Sequence, residues 1–189
     1  MASIAENVAA VRAEIRAACQ SCGRDPSGVR LIAVTKTQGP EVLAELVAAG
    51  IADFGENRID HLQIMHAAAP AGSVFHVIGR IQSRQIPRIV ATSAYLHSLY
   101  EASHVDELAR RCAQAQRRMA VFIEVNVSGE GAKGGVVPSE VPRLVEHVRS
   151  KPELDLVGLM TMAPMLAQTA LNDASAPGVG ESDVRRCFA

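Results

Sequence analysis

Lys36 closes the run Leu31-Ile32-Ala33-Val34-Thr35 within LIAVTKT, and its type and position point to covalent chemistry. Taking an ammonium out of water disfavours its charged form, so an amine ending a buried strand is paired, sits at a wet rim, or serves as a neutral nucleophile. The last case makes Lys36 a candidate imine-forming lysine, because the neutral amine is the form that attacks a carbonyl. The competing reading is a long side chain that snorkels from a strand end into water.

Other strand-like runs also end in polar, glycine-containing stretches. Gly55-Glu56-Asn57 follows Ala52-Asp53-Phe54, Gly79-Arg80-Ile81-Gln82-Ser83 follows residues 74–78, GEGAKGG lies beyond the run 121–127, and Gly158 to Pro164 follows residues 154–157. Chemistry therefore gathers at strand ends. Around it, Arg80 and Arg84 could attract an anion, but Arg84 and Arg88, four apart, read as a solvated helix face. His76, inside an apolar strand, reads as a satisfied core histidine. His61 and His66, five apart, do not share a helical face for a metal. Met160 and Met162 read as core packing. Cys19 and Cys22 have a CQSC spacing, but Cys112 and Cys187 are isolated, so reduced thiols are expected rather than zinc or redox chemistry. No catalytic residue and no metal ligand is assigned.

Short apolar runs alternate with longer periodic segments, the pattern of a parallel sheet with covering helices. A leading helix is expected over about 3–20, strands near 31–35, 51–54, 74–78, 95–99, 120–127 and 154–159, and helices after Gly39-Pro40 and near 57–68, 83–91, 103–118 and 139–149. One helix in each interval favours a (β/α) barrel, whose active sites lie at the carboxyl ends of the strands, where Lys36 falls. A doubly wound open sheet is the alternative, but no G-x-G-x-x-G follows the first strand, and GEGAKGG lacks the Gly-Lys-Ser/Thr ending of a P-loop.

In order and spacing, LIAVTKT, DFGEN, FHVIGRIQ, EVNVSGEGAKGG and LVGLMTMAP resemble the pyridoxal 5′-phosphate homeostasis proteins, over about residues 5–165. The resemblance implies an α/β fold, a TIM-type barrel of the alanine racemase N-terminal kind, with residues 1–189 forming a single barrel domain that binds pyridoxal phosphate (PLP). It further implies that Lys36 holds the cofactor as an internal aldimine and that Asn57 lies beside it. The family runs on through two more strands where this chain has LAQTALNDASAPGVGESDVRRCFA, so about six of eight strands are expected. The phosphate cup of such barrels forms after strands seven and eight, so weak PLP binding and two open sheet edges that invite association are expected as well.

A content of 48% hydrophobic residues in 189 suffices for one core, and a net charge of -1 gives no basic excess for nucleic acid. The N-terminal segment is interrupted by Glu6, Arg12, Glu14 and Arg16, so neither a secretory h-region nor a membrane span is expected, and the default location is cytoplasmic. Three functions are consistent with these residues. The first is a non-catalytic carrier of PLP that serves PLP-dependent apoenzymes. The second is a racemase-like enzyme, which requires a second acid/base group on the opposite face of the cofactor. The third is a cofactor-free remnant.

Overall fold

A computed structural model of the chain describes residues 2–127 and 134–162. Helix α1, Ile4–Ser21, begins where the sequence predicts, at a capping box in which Glu6 N donates to the Ser3 hydroxyl at 3.2 Å and Ser3 N donates to the Glu6 carboxylate at 2.7 Å. It is followed by β1 (Ala33–Val34), α2 (Val42–Ala48), β2 (Asp53–Glu56), α3 (Ile59–Ala68), β3 (Val74–Val77), α4 (Ile86–Thr92), β4 (Tyr95–Leu99), α5 (Ala102–Gln114), β5 (Met119–Glu124), α6 (Val141–Arg149) and β6 (Leu154–Met160). The strands succeed one another in the sheet in chain order, β1-β2-β3-β4-β5-β6. A helix between consecutive parallel strands is what such connections require, because a parallel partner can be reached only by a crossover.

The chain divides into two compact units, Met1–Gly79 with Pro87–Tyr95, and Arg80–Ile86 with Leu96–Ala189. In the first, β1 pairs in parallel with β2, and β2 with β3. The core here is Phe54, Leu43, Leu62, Met65 and Ile89, each fully buried, with the Phe54 and Phe75 rings 5.6 Å apart. In the second, β5 pairs in parallel with β6, with a register shift between Val121 and Phe122. Leu96, Leu99, Leu108, Val121, Ile123 and Val148 fill that core without exposure. The alternating burial of Met119–Glu124 shows the two-residue period of a half-covered strand.

Several boundaries differ from the sequence expectation. The strand expected at 31–35 shrinks to Ala33–Val34, because only those two residues find ladder partners, in Phe54 and Gly55. Its run is not a buried one, since Val34 is 52% exposed. The strand expected at 51–54 instead runs Asp53–Glu56, because its ladder with β3 continues through Gly55↔His76 and Glu56↔Val77. Gly55 suits this crowded strand, since a Cβ there would stand 3.3 Å from both Ile32 and Ile78. The helix expected to reach residue 118 stops at Gln114, and Gln116 takes the left-handed φ of 50° that ends it. Met162 is 58% exposed, so it is not the core residue expected.

Candidate functional site

Lys36 stands just beyond the carboxyl end of β1, in a turn that Gln38 N closes by donating to the Thr35 carbonyl at 2.9 Å. It is exposed and makes no hydrogen bond or ion pair among the described residues. Of the situations expected for an amine at this strand end, the structure shows the wet rim: β1, which carries it, is two residues long and pairs with β2 alone among the described residues. The residue before it is buried. The Thr35 hydroxyl donates to Glu56 Oε1 at 2.5 Å, and Glu56, fully buried, meets His61 Nδ1 through Oε2 at 2.7 Å. The other ring nitrogen, Nε2, returns to the Gln38 carbonyl at 3.0 Å.

Asn57 follows β2 as Lys36 follows β1. Val34 pairs with Gly55 in the last row of that ladder, so Lys36 and Asn57 each lie just beyond it, at the carboxyl ends of β1 and β2. Asn57 is exposed too, and its backbone is crowded by the end of β3: a Cβ on Gly79 would lie 2.3 Å from the Asn57 carbonyl oxygen. Only a glycine lets the two strand ends approach so closely. The two site residues predicted from sequence therefore share one edge of the first unit.

The second unit has its own polar strand end. Glu124 closes β5, and burial pushes its carboxyl above the usual range while Arg80 opposes the shift. Burial likewise raises the Tyr100 phenol, again against Arg80. Gly134 fits against both, since a Cβ there would lie 3.2 Å from the Glu124 carboxylate and from the Tyr100 ring.

The remaining candidates are structural. His76 is buried, stacked on Tyr95 with ring centroids 4.4 Å apart, and bonded through Nε2 to Asp53 at 2.9 Å, as a satisfied core histidine should be. Its burial lowers its pKa, against the pull of Asp53. Arg84 and Arg88 do not share the helix expected: Arg84 lies in the 3-10 turn Ser83–Gln85 and bonds Gln82 at 2.8 Å, and Arg88 pairs with Asp60 at 2.6 Å. Cys19, Cys22 and Cys112 are free thiols. Lys151 is tied to Asp106 at 2.7 Å. Lys133, Cys187 and the tail from Ala163 onward lie outside the described residues.

Residues 7–176 match the family model of the alanine racemase N-terminal domain. The pyridoxal phosphate homeostasis protein of Pseudomonas aeruginosa is 38% identical over 178 residues, which cover 93% of this chain and 76% of that protein. The chain belongs to the pyridoxal phosphate homeostasis protein family. Among solved structures of similar fold, PipY of Synechococcus elongatus, solved with PLP bound, aligns with a TM-score of 0.69 and 25% identity, covering 86% of this chain and 76% of PipY. Alanine racemase of Clostridium difficile aligns with a TM-score of 0.65 and 11% identity, over 85% of this chain and 41% of the enzyme, a likeness of fold alone. The homeostasis-protein fold of this chain is thus α/β, of the alanine racemase N-terminal kind.

Thr35, Glu56, His61 and Gly79 are the neighbours of this edge that sequence reading did not find. An expected strand over 51–54 leaves Glu56 in the polar stretch beyond it. The available signal was the Glu followed five residues later by a His at the start of a helical segment, and on its own it is weak.

Proposed function

We propose that this chain binds pyridoxal 5′-phosphate through Lys36, without catalytic turnover, as a homeostasis protein that holds the cofactor and passes it to PLP-dependent apoenzymes. The observation that carries the reading is an exposed Lys36 amine, without a hydrogen bond or ion pair among the described residues, that lies beyond the carboxyl end of β1 as Asn57 lies beyond that of β2. The donor set fits the aldehyde end of the cofactor. Lys151 is a poorer amine for it, being held by Asp106, whose carboxyl Lys151 keeps below its usual range. When bound, the cofactor would supply an aldehyde for condensation with a primary amine, a C=N bond replacing the C=O as its oxygen leaves with the two amine hydrogens as water. This chain's part is to present Lys36 and to set Asn57 beside the bound ring. The names of the relatives and the PLP bound to PipY support the same reading.

A racemase needs a second acid/base group on the opposite cofactor face. The relatives are named homeostasis proteins rather than enzymes, which favours holding over turnover. Residues 1–189 serve as one cofactor-binding domain, and the proposed location is the cytoplasm. No helix among the described residues is long and apolar enough to cross a membrane.

Two measurements on the purified chain test this. Titration with PLP should give a yellow species that Lys36→Ala lacks, and alanine racemisation should stay at the free-cofactor background. A yellow species unchanged in Lys36→Ala, or racemisation lost in that variant, would contradict the proposal.

A further inference from the structure

We infer that Glu56 is a positioning residue for Lys36, gripping both ends of the turn that carries it. The turn Thr35–Gln38 has two anchors, and both lead to this one carboxyl group. At its start, the Thr35 hydroxyl donates to Oε1 at 2.5 Å. At its end, the Gln38 carbonyl meets His61 Nε2 at 3.0 Å, and His61 Nδ1 meets Oε2 at 2.7 Å. Glu56 itself is held by the sheet, since Ile78 N donates to its carbonyl at 2.9 Å and it pairs with Val77 in the ladder. The carboxyl thus transmits the rigidity of β2 and β3 to a turn that β1, two residues long, could not fix alone.

Counting protons shows why the arrangement is closed. A carbonyl oxygen only accepts, so His61 Nε2 carries a hydrogen. One further proton must then lie between Nδ1 and Oε2, as imidazolium with carboxylate or as imidazole with carboxylic acid. In either form the pair is neutral overall. That explains how a carboxyl group with 0% exposure is tolerated with no lysine or arginine bonded to it among the described residues. Glu56 and Thr35 are both buried, while the residues that follow them, Asn57 and Lys36, are exposed. A fixed turn confines the Lys36 stem, and an amine confined near its target reacts faster than one that must search for it.

This inference rests on the proposed role of Lys36, and the experiment separates the two. In the full chain, Thr35→Val, Thr35→Ser, Glu56→Gln and His61→Ala are compared with the wild type in two assays. The first is amide hydrogen exchange of the peptide holding residues 35–38, which needs no cofactor. The second is the rate at which PLP is fixed on Lys36 by borohydride, with reductive methylation by formaldehyde as a control for the bare amine. Exchange should speed up about tenfold in Thr35→Val, Glu56→Gln and His61→Ala, the effect of losing one buried hydrogen bond. PLP fixation should slow by about as much, while methylation stays unchanged and Thr35→Ser restores both. Wild-type exchange in Thr35→Val and Glu56→Gln overturns the grip. Faster exchange with unchanged fixation overturns its positioning role. If the wild type fixes no PLP on Lys36, the functional reading fails, and exchange still decides whether the grip exists. Thr35→Val keeps the size and branching of threonine and Thr35→Ser keeps its hydroxyl, so the two decide the matter even if Glu56→Gln fails to fold.

Discussion

The Thr35 hydroxyl donates to the Glu56 carboxyl at 2.5 Å inside the first unit, and the next residue, Lys36, is exposed. One peptide unit therefore separates a buried polar contact from an amine without a partner among the described residues. Lys36 can thus be changed without disturbing the buried contact.

Lys36→Ala should leave the fold intact. Its side chain is exposed and makes no hydrogen bond or ion pair among the described residues, and surface changes away from caps and special backbone positions usually stay within about 0.5 kcal/mol. Denaturant unfolding should give a midpoint indistinguishable from wild type, while PLP fixation is abolished. A large drop in the midpoint would mean that Lys36 is a structural residue.

Gly79→Ala should be costly. The new Cβ would sit 2.3 Å from the Asn57 carbonyl oxygen and 2.7 Å from its Cα, and backbone atoms cannot step aside cheaply. A loss of about 1–3 kcal/mol is expected from this overpacking. PLP fixation should also fall, because relieving the clash moves Asn57. Wild-type stability would show that the strand ends are looser than described.

The comparison of sequence and structure turns on where burial begins and ends. The strand Tyr95–Leu99 and the capped start of α1 were legible because local patterning decides them. Lys36 and Asn57 were legible as strand-end residues through the motifs that hold them. The burial of Leu31 to Thr35 was not, since an apolar run reads alike whether or not strands cover both its edges. Glu56 was hidden for a related reason. A glutamate reads as solvent-seeking until a threonine just beyond β1 and a histidine on the next helix are seen to satisfy it. Those partners are 21 and five residues away, and only the register brings them together.

Stability should fall with pH through His76. Burial depresses its folded pKa below the ordinary 6.5, so the unfolded chain takes up the proton first as the pH drops. Its contribution is complete above about 6.5 and is lost as the pH falls toward the folded value. Unfolding midpoints at about pH 8 and about pH 5.5 should therefore differ more in the wild type than in His76→Gln. An equal or larger difference in the variant would contradict this.

Arg12 fastens the end of α2. Its guanidinium donates to the carbonyls of Ala49, at 3.3 Å, and Gly50, at 2.6 Å, beyond the last turn of that helix. Arg12→Ala should cost about 1 kcal/mol, and Arg12→Lys should recover only part of it, since an ammonium cannot span both oxygens. Urea unfolding measures both. No loss in either variant would show that the contact contributes nothing.

If Lys36 is the amine that holds PLP, borohydride reduction of the purified chain with PLP, followed by peptide mass mapping, finds the reduced cofactor on Lys36, with Lys133 and Lys151 unlabelled. Label on Lys133 or Lys151 with none on Lys36 would overturn this role for Lys36.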